Sequence, residues 1–118
     1  AMTNKYRNKR IVTKEGTFDS VREYRRWCEL VLLERAGEIS ELQRQVPFEL
    51  IPAQYENPLP GKKKGKIIER ACCYVADFVY REKDGRLVVE DTKGVKTKDY
   101  VIKRKLLLKV HGIRIYEV

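Results

Sequence analysis

Two runs of β-forming residues decide the fold of this chain: Cys72-Cys73-Tyr74-Val75-Ala76-Asp77-Phe78-Val79-Tyr80 and Arg86-Leu87-Val88-Val89-Glu90-Asp91-Thr92-Lys93-Gly94. Between them, Lys83-Asp84-Gly85 predicts a short hairpin loop, because Gly85 adopts positive φ at no steric cost. Both runs carry acidic residues inside otherwise apolar sequence. The stretch therefore predicts an antiparallel strand pair with carboxylates within it.

The register of this hairpin decides which acids meet. With a three-residue loop, Asp77 lies directly opposite Asp91 on one sheet face. Opposed Cβ atoms are about 4.5–5.5 Å apart, so two carboxylates there repel and favour a cation between them. A two-residue loop, Asp84-Gly85, places Asp77 opposite Thr92 and makes Glu90 its nearer acid. Because both strand faces are apolar, hydrophobic alternation leaves both registers open.

Lys93 lies two residues after Asp91 and therefore projects onto the same strand face. In the three-residue-loop register, two carboxylates and an ammonium group then share one sheet face, an arrangement that favours a bound cation. The alternative is a surface hairpin whose acids end the strands in solvent.

Length and charge set the broad class of protein. The chain has 118 residues, enough for one domain with a modest core. Lysine and arginine total 26 against 17 acidic residues, a net charge of +9, so nucleic acid is the first candidate partner. No segment approaches the roughly 20 apolar residues of a membrane-spanning helix, so a membrane partner is not expected.

The cysteines and the histidine exclude some kinds of site. Cys28, Cys72 and Cys73 have no metal-binding spacing and indicate a reducing cytoplasm. His111 is the only histidine, which excludes a histidine-centred metal cluster and a two-histidine acid–base mechanism.

The predicted elements follow the order helix, three strands, helix, strand. We expect a flexible basic arm over residues 1–10 and a small hairpin around Lys14-Glu15-Gly16. A helix then runs from about Ser20 to Ala36, and strands follow at 42–51, 67–80 and 86–93. A second helix is capped by Thr97 or Asp99, and a last strand lies at 113–118. Residues 11–118 are then one α/β (α+β) domain with a mixed central sheet flanked by helices. The helical crossover makes the last two strands parallel.

Two lysine-rich segments are candidates for contact with nucleic acid. Residues 57–66 contain two glycines and predict a mobile basic loop, and the second helix has a basic face. The alternative for both segments is a solvated charge run. The candidate contacts are Lys62, Lys63, Lys64, Lys66, Lys103 and Lys105.

The element order, with Asp77 followed by Asp91-Thr92-Lys93 and a basic helix, resembles the core of the PD-(D/E)XK nuclease superfamily. Gly16-Thr17-Phe18-Asp19-Ser20 with Glu23, and Val89-Glu90-Asp91-Thr92-Lys93-Gly94, are similar to an uncharacterised phage and prophage family assigned there. The resemblance covers about residue 9 to the end of the chain. It implies a restriction-endonuclease-like core.

The resemblance also implies site roles. Asp77 and Asp91 would bind Mg²⁺ or Mn²⁺, Lys93 would sit beside the attacked phosphate, and Glu23 on the first helix would complete the site. Ala76 stands where the superfamily name has proline. Glu90 replaces Asp91 if the strand is bulged. Ser20-Val21-Arg22-Glu23 also fits a capping box, in which Glu23 serves the helix terminus instead.

The expected function is therefore a Mg²⁺-dependent DNA endonuclease of phage type, acting in replication or recombination in a bacterial or phage-infected cell. Branched DNA such as a Holliday junction suits a small member, and two symmetric cuts predict a homodimer. The alternative is a non-catalytic nucleic-acid-binding module on the same fold, whose affinity falls steeply with salt.

Overall fold

A computed structural model describes residues 10–118, so all but the end of the predicted basic arm lies outside the described residues. The described chain is a mixed α+β fold. Its elements are β1 Ile11–Thr13, β2 Gly16–Phe18, α1 Val21–Arg35, β3 Ile39–Ile51, β4 Gln54–Tyr55, β5 Ile67–Glu69, β6 Cys72–Glu82, β7 Leu87–Asp91, α2 Lys98–His111 and β8 Tyr116–Glu117. Neither α1 nor α2 is long and apolar enough to cross a membrane.

The central sheet has four strands in the order β3-β6-β7-β8. β6 and β7 are antiparallel, whereas β7 and β8 are parallel, as the helical crossover predicts. β3 lies at one edge of the sheet, the position where a strand proline such as Pro47 is tolerated. The central sheet is therefore mixed, as expected from the sequence.

The described residues divide into two compact units. Unit 1 comprises residues 10–46, Ala76–Lys96 and Ile115–Val118. Unit 2 comprises Pro47–Val75 and Thr97–Arg114. The single domain expected over residues 11–118 stays a prediction.

Both ends of α1 follow from local sequence. Ser20 is the N-cap, and its hydroxyl accepts a hydrogen bond of 3.1 Å from the backbone N–H of Glu23. After the C-cap Ala36, Gly37 has φ +78°, the left-handed conformation that ends many helices. The predicted boundaries of this helix are confirmed.

The core of unit 1 lies between α1 and the sheet. Leu30 of α1 is buried with Phe78 and Tyr80 of β6, and Trp27 packs against this cluster. The Trp27 and Phe78 rings stack with centroids 6.1 Å apart. Ile39 at the start of β3 completes the cluster. Leu30 and Trp27 therefore hold α1 against one face of β6, whereas Leu32 on the same helix is exposed.

Unit 2 has its own core around α2. The buried residues are Leu50, Tyr74, Tyr100 and Leu107. Thr97 caps α2 by accepting a hydrogen bond of 3.1 Å from the N–H of Tyr100, so Thr97 rather than Asp99 begins the helix. Gly112 at φ +69° ends it, as predicted.

The β6–β7 hairpin adopts the register of the three-residue loop. Phe78 pairs with Glu90 and Arg81 with Leu87, and Gly85 has φ +87°. One further step in the same register brings Asp77 opposite Asp91. The two-residue-loop register is excluded.

The predicted strand over 67–80 is wrong as a single element. The chain forms β5 and β6 with a break at residues 70–71, and β5 pairs with β4, which was not predicted. Every residue of β4 and β5 is exposed, so this small hairpin has no hydrophobic alternation to reveal it. The predicted strands 86–93 and 113–118 also shorten to Leu87–Asp91 and Tyr116–Glu117.

Candidate functional site

Asp77 is a half-exposed carboxylate near the middle of β6. Its Oδ2 accepts hydrogen bonds from the backbone N–H of Thr92 at 2.9 Å and from the Thr92 hydroxyl at 2.8 Å. Its Oδ1 lies 3.5 Å from Nε2 of Gln45, a long contact. These partners hold the carboxylate in one orientation across the β6–β7 pair.

Asp91, the last residue of β7, is 1% exposed. Its Oδ1 lies 3.4 Å from Nζ of Lys93, whose side chain is 30% exposed. A buried carboxylate requires a charged or polar partner, and Lys93 supplies one while keeping contact with solvent. The Asp-x-Lys spacing therefore puts a carboxylate and an ammonium group together at the end of this strand.

Glu23 is buried in the first turn of α1, with 3% of its surface exposed. Its Oε1 accepts a hydrogen bond of 3.1 Å from Nε2 of Gln45. Burial, and next the negative charge of Asp77, raise the pKa of the Glu23 carboxyl. Glu23 and Asp77 are therefore close enough for their charges to interact.

The capping alternative for Glu23 also has a structural basis. Oε2 of Glu23 accepts a hydrogen bond of 3.0 Å from the backbone N–H of Asp19, one residue before the N-cap Ser20. A capping box would use the N–H of Ser20 itself. Glu23 therefore serves the helix terminus with one oxygen and faces Gln45 with the other.

Sequence reasoning missed Gln45, whose amide lies between Glu23 and Asp77. Its backbone has φ +53°, which is uncommon for a residue other than glycine and costs about 1–3 kcal/mol. In the sequence, Gln45 is one of several polar residues alternating along a half-buried strand. Nothing in that pattern distinguishes it, because its role depends on contacts with α1 and β6.

Glu90 lies on the opposite face of β7 from Asp91, because successive side chains alternate. It is fully buried, and its two oxygens accept hydrogen bonds from Nε and Nη2 of Arg26 at 2.8 and 2.7 Å. The Tyr80 hydroxyl also donates to Glu90. Asp91 is therefore the β7 carboxylate on the face of Asp77, and Glu90 is held by Arg26 and Tyr80.

This network affects the ionisation of both partners. The hydrogen bonds to Glu90 raise the pKa of Arg26 further above its usual range. Burial first, and the hydrogen bond to Glu90 second, raise the pKa of Tyr80. Glu90 thus acts as the fixed counter-charge that joins α1 to the sheet.

A family model described as "Protein of unknown function (DUF1064)" matches residues 3–115. The chain belongs to the DUF1064 family. Neither the curated proteins nor the solved structures contain a significant match to it. The family match spans every element from β1 to α2, so the whole carboxylate and lysine cluster lies within the DUF1064 region.

The four predicted catalytic residues of this DUF1064 protein, Glu23, Asp77, Asp91 and Lys93, all belong to unit 1. Over residues 10–118, no group of three or more His, Cys, Asp or Glu side chains is arranged to hold a metal ion. The expected Mg²⁺ or Mn²⁺ site therefore stays a prediction.

The predicted nucleic-acid contacts of the DUF1064 chain belong to unit 2. The β4–β5 hairpin carries exposed lysines in its loop, namely Lys62, Lys63, Lys64 and Lys66. Nζ of Lys64 lies 5.1 Å from the centre of the Tyr55 ring, a cation–π distance. On α2, Lys105 is exposed, and Nζ of Lys103 lies 3.7 Å from Oδ2 of Asp99.

The loop expected to be mobile is closed by a backbone contact. The N–H of Glu56 donates to the carbonyl of Lys66 at 2.8 Å, directly after the β4–β5 pairing. Gly65 packs so closely on this segment that a Cβ there would lie 2.1 Å from the Glu56 carbonyl oxygen. The lysines are therefore presented on a hairpin with a constrained base.

Proposed function

We propose that this DUF1064 protein is a metal-dependent DNA endonuclease with a restriction-endonuclease-like core of the PD-(D/E)XK type. The observation that carries the proposal is the grouping of Asp77, Asp91 and Lys93 at one end of the antiparallel β6–β7 pair. Asp77 is oriented by Thr92, and Lys93 lies 3.4 Å from Asp91. Such a grouping suits hydrolysis of a phosphodiester bond.

The carboxylates have the donor chemistry that Mg²⁺ or Mn²⁺ prefers. Asp77 and Asp91 would hold the ion, with Glu23 beside them. Mg²⁺ keeps several waters and is commonly bound by one or two carboxylates plus substrate phosphate, so a three-ligand protein cage is not required. The effect of Asp77 on the pKa of Glu23 supports the fit, because a cation there would offset that repulsion. When bound, the ion would supply Lewis-acid chemistry toward the phosphodiester.

The protein's own groups have separable roles in this proposal. Thr92 holds the Asp77 carboxylate in position. Lys93, partly exposed beside buried Asp91, places a positive charge where negative charge develops on the attacked phosphate. The attacking group is water, so no nucleophilic side chain is needed. The Gln45 amide keeps Glu23 and Asp77 in a defined arrangement.

Charge supports DNA as the substrate. The chain has a net charge of +9, and the β4–β5 hairpin exposes lysines that suit a phosphate backbone. Within the proposal, branched DNA such as a Holliday junction is the substrate class, and symmetric cutting of two strands requires a homodimer. The enzyme would act in replication or recombination in a bacterial or phage-infected cytoplasm.

A second candidate function is a non-catalytic nucleic-acid-binding module. The observation that favours it is the β4–β5 hairpin with its exposed lysines, which can contact a phosphate backbone without a metal ion. Such a module would bind DNA through lysines and arginines without cutting it. It has no use for Asp77 and Asp91 beside a phosphate, since both carboxylates repel the backbone.

The test is cleavage of labelled linear, single-stranded, flap and four-way-junction DNA, with Mg²⁺, with Mn²⁺ and with a chelator. The wild type should give metal-dependent products, and Asp77→Asn and Asp91→Asn should give none while still binding DNA. Asp84→Asn, in the exposed β6–β7 turn, is the control of equal charge change. Binding without cleavage on every substrate would favour the non-catalytic module.

A further inference from the structure

A groove lies along the N-terminal half of α1 and reaches the end of β7. Its lining includes Arg22, Arg25, Arg26, Glu29 and Thr92, all within unit 1. Three arginines and one glutamate line it, together with Val21 and Val118, so arginine is its commonest side chain. Arg22 and Arg25 have no role in the proposed nuclease site.

Two of the three arginines are available to a ligand. Arg26 forms ion pairs with Glu90 at 2.7 Å and with Glu29 at 2.9 Å, so its positive charge is already neutralised. Arg22 and Arg25 are exposed. They are three positions apart on α1 and therefore lie on the same side of the helix. The positive charge that remains for a ligand comes from this pair.

The positive charges of Arg22 and Arg25 do not stabilise α1. The N-terminal end of a helix carries partial positive charge, so cations in the first turns are unfavourable there. Arg22 lies in the first turn of α1, and Arg25 begins the second. The dipole effect falls off within the first turn, so it opposes Arg22 and hardly affects Arg25, and helix stability does not account for Arg22.

Thr92 connects this groove to the carboxylate site. It lines the groove, and its N–H and hydroxyl both donate to Asp77. A polyanion lying along Arg22 and Arg25 would therefore reach Thr92, the residue that holds the Asp77 carboxylate. Arginine suits this role because its planar fork binds phosphate oxygens in pairs.

We infer that Arg22 and Arg25 bind phosphates of one strand of duplex DNA and lead that strand to Asp77. This inference rests on the proposed nuclease function for its direction, although the binding itself needs no catalysis. The contacts go to the backbone, so they carry no sequence preference.

The test is the salt dependence of duplex binding, measured by fluorescence anisotropy in a chelator so that no cleavage occurs. Each phosphate contact contributes about 0.9 to the slope of log K against log salt. Arg22→Gln/Arg25→Gln should therefore reduce the slope by up to about 1.8 and weaken binding at least about tenfold near 0.1 M salt. Arg22→Lys/Arg25→Lys should keep most of the slope.

The matched control is Lys83→Gln/Arg86→Gln, which removes two positive charges at the β6–β7 turn. That turn lies about 20 Å along the strand from Asp77, at about 3.3 Å per residue. A slope equal for both glutamine pairs would overturn the inference.

A second measurement uses wild-type protein and an arginine-specific dicarbonyl reagent, with peptide mass spectrometry. Duplex DNA should protect Arg22 and Arg25 but not Arg86, and equal modification with and without DNA would contradict the groove.

The two proposals fail separately. If Arg22→Gln/Arg25→Gln loses salt-dependent binding but no DNA is cut with any metal, the binding role of the groove is supported and the nuclease function is contradicted. If metal-dependent cleavage occurs and Arg22→Gln/Arg25→Gln binds DNA like the control, the nuclease function is supported and the binding role of the groove is contradicted.

Discussion

Thr92 donates two hydrogen bonds to Oδ2 of Asp77, one from its backbone at 2.9 Å and one from its hydroxyl at 2.8 Å. Both donors reach the same oxygen across the β6–β7 pair. Oδ1 of Asp77 is left with the longer contact to Gln45. Thr92 lies between Asp91 and Lys93 in the sequence, and it positions the carboxylate of Asp77 on the neighbouring strand.

Replacing Thr92 with valine tests this relationship. Thr92→Val keeps the shape and the backbone donor but removes the hydroxyl, so one hydrogen bond to a carboxylate, worth about 1.5–3 kcal/mol, is lost. We expect cleavage to fall roughly fivefold to tenfold, because the carboxylate is less well oriented. Thr92→Ser restores the hydroxyl and should retain activity. Equal rates for the valine and serine variants would show that the hydroxyl has no positioning role.

The buried Glu23 carboxyl should make stability depend on pH. Its pKa is raised in the folded protein by burial and by Asp77, so folding favours the protonated form. Its contribution is fully present below the ordinary pKa of a glutamate and is lost as pH rises through the raised folded value. Glu23→Gln should therefore gain stability relative to wild type between pH 4 and pH 7.

Urea unfolding of the wild type and Glu23→Gln at several pH values measures this difference. Glu15→Gln, at an exposed position near the start of the chain, is the control and should show little pH-dependent change. A constant difference between wild type and Glu23→Gln across the range would mean that the ionisation of Glu23 is not linked to folding.

Two ion pairs of equal length should differ widely in energy. Nη2 of Arg26 lies 2.7 Å from Glu90, and Nη2 of Arg86 lies 2.7 Å from Glu82. The Glu90 side chain is fully buried, whereas that of Glu82 is 39% exposed. Arg26→Met leaves a buried carboxylate uncompensated, which costs about 3–5 kcal/mol, while exposed pairs contribute about 0–1 kcal/mol.

Denaturant unfolding of Arg26→Met and Arg86→Met gives the two free energies. Tyr80→Phe, which removes one donor to Glu90, should fall between them at about 1–3 kcal/mol. Similar losses for the two arginine variants would contradict the buried role of Glu90.

Gly65 should be essential for the β4–β5 hairpin. A Cβ at this position would lie 2.1 Å from the carbonyl oxygen of Glu56, and backbone cannot move aside as a side chain can. Gly65→Ala should therefore open the base of the hairpin and increase amide hydrogen exchange over residues 54–69. DNA affinity should also fall, because the lysines lose their defined presentation.

Gly94→Ala is the matched control, since an added Cβ there meets nothing within 4 Å. Hydrogen exchange over residues 54–69 should match the wild type in this control. Unchanged exchange in Gly65→Ala as well would show that the hairpin tolerates a side chain at its base.

Much of the fold could be predicted because its signals are local. Ser20 and Gly37 mark the ends of α1, since a cap and a left-handed residue act within one turn of the helix. Lys83-Asp84-Gly85 predicted the β6–β7 hairpin, and the three-residue version places Asp77 and Asp91 in register. The parallel pairing of β7 and β8 follows from the helix between them.

The contacts that complete the site needed the tertiary structure. Arg26 and Glu90 are 64 positions apart in the sequence. The hydrophobic periodicity of α1 and β7 does not predict which buried acid forms the ion pair with this arginine. Gln45 likewise matters only because β3 brings its amide between a helix and a strand. Periodicity assigns a residue to a face, whereas a hydrogen bond also requires a distance and a direction, which depend on how α1 packs on the sheet.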